Sequence, residues 1–219
     1  MFTELVKRAL TEHSAAGVEP DEQTERILDA ALAQFTDFGL RRSSMEDVAR
    51  RSGLARSTVY RRFTGKDVLL EAVLHREVQR FYRGLTAVRE SETTRAGQVV
   101  ESGAFCLLFL RGHGLLRRLV DTEPESILPQ LTVHSDALVE LARSILSLML
   151  RHELYGAQSP PAEVASRIEG LAEVTVRLTL SFVLNDRGVI PLETEDDARE
   201  LSRRYVLPLY TALFQEISA

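Results

Sequence analysis

Between Leu40 and Lys66 the chain gathers Arg41, Arg42, Arg50, Arg51, Arg56, Arg61, Arg62 and Lys66 against only Glu46 and Asp47. That stretch is net +6 inside a protein whose formal charge is −5. Ser43, Ser44, Ser57, Thr58 and Tyr60 add hydroxyls between the cations. Cations bind phosphate oxygens, and hydroxyl and guanidinium donors can also read base edges. The chemistry indicated is therefore recognition of a polyanion such as nucleic acid. The plainer reading, an arginine-rich solvated surface, gives no reason for a basic island in an acidic chain.

Catalytic chemistry finds no comparable pattern. The sequence has no G-x-S-x-G elbow, no glycine loop of the phosphate-cradling type and no H-E-x-x-H. No catalytic residue is expected. Cys106, His113, His134 and His152 carry suitable donor atoms, but none shows the close pair spacing of a zinc motif. Neither a metal nor another cofactor is expected.

The elements that would present the basic stretch are short. Ser43 and Glu46 have capping-box spacing, and Ser44 with Asp47 repeats it one residue later. Met45, Val48 and Ala49 then form one apolar face. Gly53 suits a helix end that needs positive φ. A second short helix from about Ala55 sets Val59 and Phe63 inward and leaves Arg56, Ser57, Thr58, Tyr60, Arg61 and Arg62 on its other faces. Ala55 offers no side-chain oxygen to cap that helix. A preceding helix from about Asp21 to Phe38 places Ile27, Ala31, Phe35 and Phe38 on one face. It must cover the two short helices, which cannot bury enough surface alone. Helix, glycine turn and short basic helix make a helix-turn-helix pattern.

The run from Gly53 to Leu70, G-L-A-R-S-T-V-Y-R-R-F-T-G-K-D-V-L-L, resembles the signature of TetR-type bacterial transcriptional regulators. Ala31, Phe35 and Gly39 fit the same family's first helix. The resemblance covers roughly residues 24 to 74. It implies that Ser44, Tyr60 and Lys66 meet the DNA backbone, while Arg56, Ser57, Thr58 and Arg61 face bases in the major groove. Arg61 and Arg62 stand where an aromatic or histidine is commoner, which makes this recognition helix unusually cationic. Which arginine reads a base and which grips a phosphate stays open, and so does Tyr60 as a core aromatic.

The other residues, 1–20 and 68–219, are read more coarsely. With 44% hydrophobic and 27% charged residues the chain is ordinary for a globular protein. No apolar run approaches the ~18 residues that span a bilayer, so no membrane partner is expected. The single cysteine and the absence of a signal-peptide pattern suit the cytoplasm. Residues 1–20 form an arm whose Lys7 and Arg8 could reach a groove, although an arm packed on the protein is favoured. The expected class is all-α with about nine helices, read from helical periodicity throughout. The resemblance implies that residues 21–67 form the reading domain and 68–219 a helical ligand-binding and dimerisation domain.

Within that domain, a long helix carrying Val68 to Tyr82 is expected after Lys66, with others over about 96 to 111, 128 to 155, 162 to 184 and 196 to 217. A loop is expected at Asp121–Glu125. The helix to Arg111 is apolar nearly all round and reads as buried. The stripe Leu131, His134, Leu138, Leu141, Ile145, Leu148, His152 and Tyr155 reads as a seam. Pro208 should kink the last helix.

The resemblance further implies a homodimer through the two C-terminal helices and a small, largely apolar effector that releases DNA. Phe105, Phe109, His134, Leu138, His152, Tyr155 and Arg177 are the candidate effector-binding residues, with plain core packing as the alternative for each histidine and phenylalanine. The implied function is a double-stranded-DNA-binding repressor. An effector-independent regulator, an activator and, much further off, an enzyme are the alternatives.

Overall fold

The computed structural model describes residues 21–185 and 188–218, so the arm of residues 1–20 lies outside it. Among the described residues all regular structure is helical. In chain order the helices are α1 (Glu22–Phe38), α2 (Met45–Ser52), α3 (Arg56–Arg62), α4 (Lys66–Glu90), α5 (Arg95–Gly112) and α6 (Gly114–Thr122). They continue with α7 (Pro124–Leu131), α8 (Asp136–Tyr155), α9 (Ala162–Leu184), α10 (Glu195–Leu201), a π-helical turn (Ser202–Val206) and α11 (Leu207–Ser218). Among the described residues no single helix is long and apolar enough to cross a membrane.

The described residues divide into two compact units. One takes α1, α2, α3, α4 as far as Tyr82, α6 and α7; the other takes Arg83–Arg111 and the chain from Ser135 onward. Ile27, Ala31, Phe35, Val48, Val59, Leu69 and Val73 of the first unit are fully buried. α6 packs on α1 and α2 on α1. A Cβ at Gly114 would lie 2.8 Å from Thr36 Cγ2, so the start of α6 comes close to α1.

The caps follow the sequence closely. Asp21 caps α1 by accepting from Thr24 N at 2.8 Å. Ser44 and Asp47 form the capping box of α2. Ser43 is instead buried, its hydroxyl donating to Gly39 O at 2.6 Å. Gly53 ends α2 in the left-handed region at φ 67°, and Ala55 begins α3 without a side-chain cap. Thr194 and Asp197 form a second capping box at α10.

Two expectations are corrected. The loop at Asp121–Glu125 is helical except for Glu123, which ends α6 and begins α7. Pro124 allows this because a missing N–H costs nothing in a first helical turn. The single helix expected over about 128 to 155 is broken at 132–135 by Thr132, whose φ −126° and ψ −93° are not helical. The last helix answers Pro208 with a wide turn: Leu207 N–H bonds to Ser202 O, five residues back. The extra residue in that turn eases the proline ring past the carbonyl of Arg204.

The second unit packs around Ala104, Leu107, Leu150, Ile168, Leu201, Val206, Tyr210 and Leu213. Only one face of α5, at Val100, Ala104 and Leu107, is fully buried, so a helix apolar nearly all round is not buried all round.

Candidate nucleic-acid interface

α3 is short, so its side chains are placed by what α1, α2 and α4 do around it. Val59 is fully buried and Phe63 nearly so, which fixes the inner face of α3. At 3.6 residues per turn Ser57 and Arg61 then fall on the opposite, outward face. Both are exposed, and among the described residues Arg61 has no ion-pair partner.

The other two arginines of α3 are occupied. Arg56 pairs with Glu46 of α2, Nη2 to Oε1 at 2.5 Å, and its guanidinium lies 5.2 Å from the centre of the Tyr60 ring. Tyr60 is half-buried and donates its hydroxyl proton to the same Glu46 oxygen at 3.1 Å. A bond to its own backbone, the Tyr60 hydroxyl and the Arg56 charge hold the Glu46 carboxyl below the usual range.

Arg62 turns the other way. It lies on the flank of α3 toward α1 and donates to Asp21 at 2.7 Å, Thr24 Oγ1 at 2.6 Å and Gln23 at 3.0 Å. The Thr24 N–H, then Arg62, hold the Asp21 carboxyl down at about 2. Arg62 therefore ties the end of α3 to the start of α1.

The two remaining backbone-facing candidates sit at helix starts. Ser44 accepts from Asp47 N at 3.2 Å and donates to Asp47 Oδ2 at 2.6 Å. Lys66 Nζ donates to Leu40 O at 3.0 Å and Ser43 O at 3.3 Å, leaving one of its three protons for another acceptor. Thr58 is half-buried on α3.

Lys66 shares the segment between α1 and α2 with a second anchor that the sequence reading missed. Glu123 is buried and accepts from Arg41 N at 3.0 Å, while Arg41 Nη1 pairs with Glu125 at 2.6 Å. Gly39 has φ 78°, and a Cβ there would lie 3.0 Å from Glu123 Oε1. The corner between α6 and α7 thus holds the loop that leads into Ser44. No local signal marks it, because Glu123 and Arg41 lie 82 positions apart.

The candidate effector residues are spread over α5, α8, α9 and the turn before α8. Phe105 and Phe109 are half-buried with ring centres 5.6 Å apart. Leu138 and Tyr155 are half-buried on α8. His152 is exposed on α8, and Arg177 is exposed on α9, where it pairs with Glu173 at 2.9 Å. His134 is exposed, precedes α8 and belongs to the first unit. The expected seam fails because the helix break at 132–135 separates His134 from α8, and because Val139, Ser147 and Leu150 mark the buried side while Leu148 is exposed.

The sequence reading also passed over polar groups of the second unit. Arg89 pairs with Glu153 at 2.5 Å, and Tyr210 lies 3.3 Å from Thr175 Oγ1. Burial pushes the Tyr210 phenol and the Cys106 thiol each up to about 12, so neither ionises near neutrality. A Cβ at Gly84 would enter the Phe105 ring. Gly84→Val is expected to cost toward the upper end of ~1–3 kcal/mol, read as a lowered melting temperature, because the ring must leave its place.

A short cationic helix with its inner face locked and an arginine outward, joined to a capped helix by a glycine turn, is the reading head of a helix-turn-helix DNA-binding protein. Residues 27–73 match the model of the bacterial regulatory proteins of the tetR family. Over 187 residues the chain is 26% identical to the uncharacterized HTH-type transcriptional regulator Rv1255c of Mycobacterium tuberculosis, covering 85% of each. Over 56 residues it is 41% identical to the HTH-type transcriptional regulator SrpR of Pseudomonas putida, covering 26% of each. The crystal structure of the TetR family repressor AlkX from Dietzia shares the fold, with TM-score 0.51 and 23% identity over 90% of this chain and 100% of AlkX. Residues 27–73 thus match a DNA-binding domain of the tetR type, and the chain's relatives include HTH-type transcriptional regulators.

Proposed function

We propose that the protein is a cytoplasmic repressor that binds a near-palindromic operator as a homodimer and lets go when a small, largely apolar effector binds within residues 68–219. The observation that carries this reading is the outward placement of Ser57 and Arg61 on α3, with Val59 and Phe63 holding the helix from behind. Ser57 and Arg61 read base edges, with Thr58 beside them. Ser44, Tyr60 and Lys66 meet phosphates, and Arg56 joins either set. Arg62 supports the reader from within.

One reader covers too few base pairs to be selective, so two half-sites are needed. The dimer reading is supported by apolar side chains left on the surface of the C-terminal helices: Val174 of α9 is 46% exposed, Tyr205 of the π-helical turn 48% and Leu209 of α11 37%. These are large side chains for a solvated helix face, and a second copy would cover them. Residues 21–67 would read DNA, and the effector would sit near Phe105 and Phe109. An effector that prefers the released state ~100-fold supplies ~2.7 kcal/mol of coupling.

Selecting bound sequences from random DNA identifies the operator. In a gel shift the full site is expected to bind far more tightly than either half-site alone. Equal binding of half-sites and full site would remove the dimeric mode.

A further inference from the structure

We infer that Glu46 sets how strictly the protein discriminates between DNA sequences, by holding Arg56 and Tyr60 away from duplexes that do not compensate for their release. This rests on the DNA-binding reading above and adds a specificity-determining residue to it. The same oxygen of Glu46 takes the Arg56 guanidinium at 2.5 Å and the Tyr60 hydroxyl at 3.1 Å. Arg56 also lies over the Tyr60 ring, so the three side chains form one closed group bridging α2 and α3.

Hydrogen-bond capacity makes that group exclusive. A tyrosine hydroxyl has one proton, and phosphate oxygens only accept. While Tyr60 donates to Glu46 it has nothing to give a phosphate. Arg56 keeps other N–H groups, but its charge is already matched by the carboxylate. The Glu46 side chain is 43% exposed, so on a duplex it would stand among phosphates of its own sign. Asp47, the neighbouring acid, is committed to the Ser44 capping box and to Arg50 at 2.5 Å.

Entry into DNA therefore exchanges partners. Arg56 and Tyr60 must leave Glu46, and the carboxylate must find another donor. The base-edge donor that suits a glutamate is the amino group of cytosine. A site presenting that donor near Arg56 recovers the lost interactions, whereas an arbitrary duplex leaves the carboxylate unpaired beside phosphates. Glu46 thus penalises non-cognate DNA more than cognate DNA.

The test compares the full-length parent with Glu46→Gln on a random-sequence 30-base-pair duplex and on the selected operator, over a range of salt concentrations. Glutamine keeps an acceptor for Tyr60 but cannot neutralise Arg56. The variant is expected to bind the random duplex about fivefold more tightly per subunit, the size of one exposed ion pair. Its log–log salt dependence should steepen by about 0.9 for each additional phosphate neutralised. The ratio of operator to random affinity should fall. In an Arg56→Ala background most of the Glu46→Gln gain should vanish. Asp47 rather than Glu46 completes the α2 cap, so the variant should melt like the parent. Unchanged or weaker binding to the random duplex with an unchanged salt slope, in a variant that melts like the parent, overturns the inference while the DNA-binding reading stands. A parent protein that binds no duplex at all removes both.

Discussion

Arg61→Ala is expected to weaken operator binding by about 1–3 kcal/mol per half-site, the range for one arginine reading one base. The melting temperature should stay where it is, because Arg61 is exposed and makes no ion pair among the described residues. Binding to random duplex should fall far less, by about one phosphate's share of the salt dependence. Anisotropy titrations against both duplexes give the two numbers directly. Equal losses on both would make Arg61 a phosphate ligand, and no loss on either would take it out of the interface. Arg62→Ala is the contrasting variant: it opens the clasp to Asp21, Gln23 and Thr24, so it should lower stability and weaken both duplexes alike.

Phe35→Ala is the second large effect. Phe35 has no exposed surface and is among the largest fully buried side chains described. Removing its ring takes away burial and leaves a cavity between elements that cannot close over it, at a cost of about 3–5 kcal/mol. That is a large share of the ~5–15 kcal/mol that holds a typical domain folded. Denaturant melts should show a strongly lowered midpoint, and DNA binding should fall with the folded fraction. A midpoint within the range of surface substitutions would mean that the site collapses readily and that α1 is not the backbone of the reader.

The two variants separate what places the reading helix from what reads. The interface itself was legible wherever one turn of helix decides the outcome. The Ser44–Asp47 cap, the Gly53 stop, the uncapped Ala55 and the inward Val59 and Phe63 all follow from spacings of two to five residues. Three arginines in α3 looked alike because their differences come from elsewhere in the chain. Glu46 claims Arg56, the start of α1 claims Arg62, and Arg61 is left outward.

The C-terminal half shows the opposite case. Periodicity from Leu201 puts Tyr205, Leu209 and Ala212 on one face, yet the buried residues are Val206, Tyr210 and Leu213. The π-helical turn adds one residue between Leu201 and Val206, and every later side chain rotates with it. The seam on α8 is misplaced in the same way, since the break at 132–135 resets the helix that a continuous stripe would carry through.

Charge density, helix caps and the apolar spacing of α1 to α3 mark this chain as a helix-turn-helix DNA binder, because those features act between near neighbours along the chain. Tertiary structure alone assigns Arg56, Arg61 and Arg62 their different partners, brings the α6–α7 corner against the loop before Ser44, and selects the face that α11 buries. Each of those outcomes depends on groups far apart in sequence or on one extra residue in a turn, and neither leaves a periodic trace.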